Sequence, residues 1–368
     1  MHKITYFVFV LSILAVAGYG QQSSEVNEVL IGYFGPNDPN HPEAGGMWSA
    51  ASMAIDQANQ RGGYHGIDFR LVTGWSDNPW GSGVSEVVGM AYTHKVWGIV
   101  GGIDGPSTHL AEQVVAKAHL TLISAGSTDK SVNFANVPWM FSCLPADDIQ
   151  AEALTKAIAA NGRPFILLSS TGHDPHLFTI ELNKSFIKYK ISPINHFEFK
   201  PKQKDNQPLI DNILETNASA LVLIAGVDDS IDLVRSIQDK GFSGTVFGGP
   251  SMGHHRFVQN VPVTSEKLIF PLLYYPSGES RLFDEEFKRR FGREPDYLAA
   301  HTYDALNLLI ASIEKAGLDR EKIRDAMKYN SPTKGITGTF SWNQYGENVR
   351  DISLGCFEDK SVKVFSDY

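Results

Sequence analysis

Cysteine is nearly absent from this chain of 368 residues, which contains only Cys143 and Cys356. Two thiols cannot form a zinc site by themselves, and the adjacent His254 and His255 lack ligand spacing to them. In an oxidising compartment the two cysteines can pair, but sequence alone cannot bring them within bonding distance, and two buried free thiols fit equally well. We therefore expect no metal centre, and the disulfide stays an open alternative.

Positive charge is also scarce. The chain has 32 lysines and arginines against 41 aspartates and glutamates, which gives a formal net charge of −9. No Lys/Arg-rich stripe is present to displace the counterions of a phosphate backbone, so we predict no nucleic-acid partner. The sequence also lacks a phosphate-binding loop and a dinucleotide-binding glycine fingerprint, so we predict no cofactor. The length fits two lobes of ordinary size.

Long apolar runs are missing after the first twenty residues. Within those residues Lys3 supplies a positive charge, residues 4–17 are almost wholly apolar, and Gly18-Tyr19-Gly20 supplies small residues. This pattern predicts a cleaved signal peptide over residues 1–20, since the run is shorter than the roughly 20 residues that span a bilayer. We expect the mature chain to be periplasmic or secreted.

Short β-branched runs alternate with helical patterns along the rest of the chain. A first series predicts strands at 29–34, 69–72, 98–102 and 120–124, and helices at 48–60, 83–94 and 107–118. A second series predicts strands at 165–169, 220–225 and 246–248, and helices at 151–160, 177–188, 209–215 and 230–240. A third section holds a strand at 268–273, a helix at 297–316 and a final strand at 352–357. The alternation indicates an α/β protein with two lobes of parallel sheet flanked by helices, whose strand ends face a cleft.

Several motifs follow one another in a specific order and spacing. They are Ile31-Gly32-Tyr33-Phe34-Gly35-Pro36, Ala54-Ile55-Asp56-Gln57-Ala58-Asn59, Val100-Gly101-Gly102 with Pro106-Ser107-Thr108, Ile123-Ser124-Ala125-Gly126-Ser127-Thr128, Phe291-Gly292-Arg293-Glu294-Pro295, and Gly335-Ile336-Thr337-Gly338-Thr339-Phe340. Together they resemble branched-chain amino acid binding proteins, the leucine/isoleucine/valine-type receptors of ABC transporters. The resemblance spans about residues 28–358.

The resemblance implies a type I periplasmic binding fold, in which two α/β lobes are joined by three crossovers and close on a ligand as a hinge. We place the crossovers near residues 143–147, 270–274 and 330–338. The first lobe then combines residues 28–144 with 275–332, and the second combines 145–272 with 336–368. The implied function is that of a monomeric, extracytoplasmic, non-enzymatic solute-binding protein. It captures an amino acid or a related small polar carboxylate or amide and delivers it to a membrane permease.

The resemblance also implies that a ligand carboxylate lies against the first lobe. Hydroxyls and backbone N–H groups at a helix N-terminus can replace the water around a carboxylate. Ser107 and Thr108 lie where a predicted strand turns into a helix, and the family holds the carboxylate at the Ser107, Gly126 and Thr128 positions. With Ser127 between the last two, these are the predicted first-lobe ligand residues. The alternative for Ser107 is a simple helix cap.

The second half of the site departs from the family pattern. The family has a tyrosine near Asp174, an aromatic residue near Gly226 or Val227, and an acid near Ser251. A serine therefore replaces the acid that pairs with a ligand ammonium, and a buried ammonium without a carboxylate is costly. Either Asp174, Asp228 or another acid compensates, or the ligand is not an α-amino acid.

The first loop also departs from the family pattern. Glu43 lies in the polar loop 37–46, where family members place an aromatic residue, and this favours a ligand more polar than leucine.

Two other classes of function compete with transport. A soluble sensor module that partners a separate receptor is the main alternative to a transport protein. Gly249-Pro250-Ser251-Met252-Gly253 follows a strand and matches the Gly-x-Ser-x-Gly pattern of serine hydrolases, but Pro250 and the two-series layout argue against that function.

Overall fold

The computed structural model describes residues 27–261, 268–278, 280–358 and 361–366. The predicted signal peptide, residues 1–20, lies outside these ranges. Within them, no helix has both the length and the apolar character that a membrane crossing requires.

The first half of the chain forms a wholly parallel sheet. Its five strands are β1 (Val29–Phe34), β2 (Phe69–Gly74), β3 (Ile99–Gly101), β4 (Leu122–Ser124) and β5 (Met140–Ser142), in the order β2-β1-β3-β4-β5. The helices that connect them are α1 (Gly45–Gln60), α2 (Val84–Val88, between π-helical turns Pro79–Gly83 and Gly89–Thr93), α3 (Gly105–Ala118) and α4 (Ser131–Phe134). The central strands are buried on both faces because helices cover both sides of the sheet.

The second sheet has seven strands and is parallel except at one side. Its first five strands are β6 (Phe165–Ser170), β7 (Asn195–Phe199), β8 (Ala220–Ile224), β9 (Thr245–Gly248) and β10 (Leu268–Leu272). After a separate hairpin of β11 (Thr333–Gly335) and β12 (Gly338–Phe340), the chain adds β13 (Ser353–Glu358) and β14 (Ser361–Val364). The order is β14-β13-β10-β9-β8-β6-β7, with antiparallel pairing at β10-β13 and β13-β14. The helices of this half are α5 (Asp147–Asn161), α6 (His173–Tyr189), α7 (Gln207–Glu215), α8 (Val227–Asp239) and α9 (His255–Asn260).

The last three helices return to the first sheet. They are α10 (Ser280–Phe291), α11 (Tyr297–Ala316) and α12 (Arg320–Tyr329). Leu306 and Leu309 of α11 share a buried core with Val29 and Ile31 of β1. The chain therefore leaves the first lobe, returns to it and leaves it again, which is the two-lobed type I periplasmic binding architecture. The residue numbers at which we divide the lobes stay a prediction.

The two cysteines lie in different cores. Cys143 is fully buried in the core of the first sheet, whereas Cys356 of β13 is half-buried against the core of the second. They form no disulfide in the structure.

Candidate functional site

A cavity of about 210 Å³ lies between the two sheets. Its first-lobe wall comes from the loops after β1, β3 and β4 and from the start of α11, and its second-lobe wall comes from the segments after β6, β8 and β9. These segments leave the carboxyl ends of parallel strands, which is where open α/β sheets bind ligands. The facing strand ends make this cavity the candidate functional site.

Most of the residues predicted from the sequence line this cavity. They are Glu43, Gly126, Thr128, Asp174, Gly226, Val227 and Ser251. Ser107, Thr108 and Ser127 do not line it, because all three are buried beneath its wall. The structure thus brings together predicted residues from five separate segments of the chain.

Ser107 and Thr108 close the first turn of α3. Asp104 is the N-cap residue, and its Oδ1 accepts a hydrogen bond from the Ser107 N–H at 2.8 Å. The Ser107 hydroxyl in turn accepts from the Asp104 N–H at 3.3 Å, which completes a capping box. The Thr108 hydroxyl donates to the Asp104 carbonyl at 2.7 Å. These hydroxyls therefore satisfy the helix end, and Asp104 is the residue of this turn that reaches the cavity.

Asp174 links the second lobe to the first. Both of its carboxylate oxygens lie 3.2 Å from the Gly105 N–H, at the start of α3. A Cβ on Gly105 would lie 2.6 Å from Asp174 Oδ1, so glycine is the residue that lets the carboxylate approach this closely. His173 donates from the other side at 2.9 Å, and this hydrogen bond raises the pKa of His173. The positive end of α3 and His173 together stabilise the Asp174 charge.

His254 connects the lobes on the opposite wall. Its Nε2 donates to the Glu43 carbonyl at 3.1 Å, while its Nδ1 accepts from the Arg256 N–H at 3.2 Å. Burial lowers the pKa of His254, and only 1% of its surface is exposed. A neutral imidazole in this tautomer satisfies both ring nitrogens.

One group of side chains has the spacing of metal ligands. Potential ligand atoms of His254, His255 and Asp296 lie within 4.8 Å of one another. His255 Nδ1 is 2.9 Å from Asp296 Oδ2, and Asp296 Oδ1 also accepts the Ala299 N–H at the start of α11. Capping and interlobe hydrogen bonds therefore explain the positions of all three side chains.

Asp228, Trp75 and Trp80 lie outside the inner cavity. Asp228 forms an ion pair with Arg256 at 2.5 Å and borders the outer opening. Trp75 packs against Phe34 with ring centroids 5.3 Å apart, and Trp80 is 61% exposed on the surface.

Three residues with polar side chains in the site were missed by sequence reasoning. Asp104, His254 and Tyr297 all line the cavity. Asp104 has a readable signal, because an aspartate three residues before Ser107 is a capping-box pattern. Tyr297 has a weaker signal, since it directly follows Asp296, the N-cap of α11. The position of His254 depends on the packing of the two lobes, which no local pattern encodes.

The fold and the interlobe cavity define a two-lobed binding protein. The sequence profile described as periplasmic binding protein matches residues 31–360, so the chain belongs to this family. A curated relative, the amino acid binding protein of Pseudomonas aeruginosa, is 23% identical over 98% of each chain.

Solved structures share the same fold at low sequence identity. The substrate-binding protein LivJ of Streptococcus pneumoniae, in complex with isoleucine, is 18% identical with a TM-score of 0.83, covering 92% of this chain and 99% of that one. The leucine-binding protein LivK of Thermotoga maritima has a TM-score of 0.82 at 18% identity, covering 92% and 98%. A solute-binding protein of an ABC transporter from Rhodopseudomonas palustris, in complex with benzoate, has a TM-score of 0.81 at 13% identity, covering 92% and 95%. Ligands of different chemistry thus occur on this one fold.

Proposed function

We propose that this chain is the solute-binding protein of an ABC importer, which captures a small molecule between its lobes and delivers it to a membrane permease. The observation that carries the proposal is the cavity of about 210 Å³ enclosed by the strand ends of both sheets. The names of the relatives support the transport assignment, and an amino acid or related polar compound is the ligand class that they suggest.

The ligand site that we propose is the lining of this cavity. Gly126 and Thr128 form its first-lobe wall, and Gly226 and Ser251 form part of its second-lobe wall. Gly126 is small for a structural reason, because a Cβ there would lie 2.5 Å from the carbonyl oxygen of Gly102. Ser107, Thr108 and Ser127 act indirectly, by fixing the shape of the wall.

Closure of the lobes is the step that we propose for capture. The hydrogen bonds from Gly105 to Asp174 and from His254 to the Glu43 carbonyl both cross between the lobes. Both lie beside the cavity, so a ligand that bridges the lobes also favours these contacts. Binding then shifts the population toward the closed form that a permease recognises.

A catalytic function has no support at Ser251. Its Oγ lies 3.3 Å from Ser230 Oγ, and both ring nitrogens of His254 have other partners. A serine hydrolase needs a histidine within hydrogen-bond reach of the nucleophile. We therefore propose that the chain binds its ligand without chemical change. From the resemblance to the family we also propose that it acts outside the cytoplasm and as a monomer.

Thermal unfolding with a ligand panel tests the proposal. The mature chain from residue 21 is heated with amino acids, their amides, urea and aromatic carboxylates. A ligand that binds only the folded state stabilises it by about 2.7 kcal/mol at a hundredfold excess over Kd. We expect at least one compound to raise Tm in a concentration-dependent manner. A flat response to the whole panel would contradict binding of these solute classes.

A further inference from the structure

The inner cavity has an acidic wall. Glu43, Asp104 and Asp174 all line it, and within the described residues the lining contains no lysine or arginine. Among the described lining residues, His254 is the one with a side chain that can become positively charged. Burial lowers the pKa of His254, which favours its neutral form. The three carboxylates also line the outer opening of the same cleft, where acidic residues outnumber basic ones: the other charged or titratable lining residues there are Asp228, Asp229, Lys202 and His173. A solute therefore passes them on entry and stays beside them when bound.

The charges of Glu43 and Asp174 act on the carboxylate of Asp104. Burial is the main cause that raises the pKa of Asp104, and the charges of Asp174 and Glu43 raise it further. Glu43 contacts its neighbours through its main chain, since its N–H donates to His41 Nδ1 and its carbonyl accepts from His254. Its side chain is exposed at the cleft. The Glu43 carboxylate is thus placed to meet a ligand.

The N-terminus of α3 has no free donor for an anionic ligand. The Gly105 N–H is bound to Asp174, and Pro106 has no N–H. The Ser107 N–H is bound to the Asp104 carboxylate, and the Thr108 N–H to the Asp104 carbonyl at 3.2 Å. The place where a ligand carboxylate could use the helix dipole is therefore already filled by the chain's own carboxylate.

The remaining lining is largely apolar. Ile103, Phe178, Ile224, Val227 and Leu298 contribute to it. A site of this kind combines a negative end with an apolar body, and it attracts solutes of the opposite charge through the acidic opening.

We propose that the solute is a small organic cation, with an ammonium, amidinium or guanidinium group directed at Glu43, Asp104 and Asp174 and an apolar stem along the rest of the cavity. This inference rests on the proposed function, because it assigns the charge class of the solute held in the same cavity. It differs from a branched-chain amino acid in that the solute carries a net positive charge.

Isosteric ligands of different charge test the inference. Benzamidine, benzamide and benzoate share one shape and carry charges of +1, 0 and −1. Further pairs of a cation and a neutral partner are arginine with citrulline, lysine with norleucine, and putrescine with 1,4-butanediol.

Calorimetry of the mature chain should show the cation of at least one set binding about tenfold or more tightly than its neutral partner, and the affinity for the cation should fall as the salt concentration rises. If, in every set that binds, benzoate or the neutral partner bound as well as the matched cation, the inference would be overturned and the proposed function left intact. The absence of any binding in these sets and in the broader panel would instead contradict the proposed function, and the inference with it.

Three variants test which carboxylates contact the cation. Glu43→Gln and Asp174→Asn each remove one charge, and asparagine keeps an oxygen that can accept the Gly105 N–H. Each should weaken the cation about tenfold while leaving a neutral partner within about twofold. Glu215→Gln is the matched control, because Glu215 is exposed at the end of α7 and does not line the cavity. Equal effects of Glu215→Gln and Glu43→Gln would show that only net charge matters and would overturn the assigned contact. Thermal unfolding without ligand checks that each variant is folded.

Discussion

Replacing Gly226 by tryptophan should block the cavity without unfolding the protein. Gly226 lines the cavity and is the N-cap residue of α8, with φ −67° and ψ 170°, an extended conformation that any residue can adopt. Among the described residues, a Cβ at this position meets no atom within 4 Å. We therefore expect the indole to enter the space that the ligand is proposed to occupy.

The expected effects on binding and on folding differ in size. An aromatic side chain buries about 150–250 Å², so placing half of that area against the cavity walls contributes about 2–3 kcal/mol at about 25 cal/mol per Å². Ordering the side chain and losing the N-cap glycine cost together about 1.5–2 kcal/mol. The free energy of unfolding should therefore stay within about 1–2 kcal/mol of the wild type. Ligand affinity should fall at least about a hundredfold, because the indole occupies the ligand's volume.

Calorimetry with the tightest ligand of the panel measures the loss, and thermal unfolding measures stability. Gly89→Trp is the matched control, because a Cβ at Gly89 also meets no atom of the described residues within 4 Å. Gly89 lies in the turn after α2, away from the cavity. We expect this control to bind ligand with the wild-type affinity. If folded Gly226→Trp protein retained wild-type affinity, the solute would bind elsewhere and the reasoning would be refuted.

Three further predictions concern stability. Hydrogen bonding to Asp129 raises the pKa of His109 to about 9, so its contribution is complete below pH 6.5 and is lost as pH rises through about 9. Since His109 is partly exposed, unfolding titrations should show a loss of about 1 kcal/mol over this range that is missing in His109→Gln. Gly126→Ala should destabilise by about 1–3 kcal/mol in denaturant unfolding, because its Cβ would lie 2.5 Å from the Gly102 carbonyl oxygen, and an unchanged midpoint would contradict the clash. Tyr33→Phe should be neutral or stabilise by about 1 kcal/mol, since the described residues offer its buried hydroxyl no hydrogen-bond partner, and a clear loss of stability would count against this.

Regular strands and helices with strong apolar patterns were predictable from the sequence. The strand predicted at 29–34 and the helix predicted at 297–316 have the same bounds in the structure. Elements with weak apolar patterns were not predicted. Strand β7 was missed because it lies at the sheet edge, where Asn195 and His196 are exposed and the apolar alternation is weak. Helix α10 was missed because its sequence is rich in charged residues and buries few apolar side chains, among them Phe283 and Phe287.

The candidate site was predictable in part. The strand pattern predicted a cleft at the strand ends, and the resemblance to the binding-protein family supplied Gly126, Thr128 and Gly226, which line the cavity. The hydrogen-bond partner of each hydroxyl and N–H could not be predicted, because it depends on which neighbouring group lies closest in the folded chain. Ser107 illustrates this, since Asp104 binds its N–H and hydroxyl within the same turn. The contact of Asp174 with Gly105 depends on how two lobes meet, and sequence patterns do not encode that distance.

The distance between the lobes, with and without ligand, tests ligand capture by closure most directly. Helices α3 and α6 both begin at the cleft, so labels near their far ends report on the angle between the lobes. Lys117 is exposed and Ile187 is 79% exposed, so cysteines at these two positions can carry nitroxide labels for pulsed electron paramagnetic resonance. The labelled variants are Lys117→Cys and Ile187→Cys, made together in a Cys356→Ser background. We expect saturating ligand to shorten and narrow the distance distribution relative to the free protein. An identical distribution with and without bound ligand would contradict capture by lobe closure.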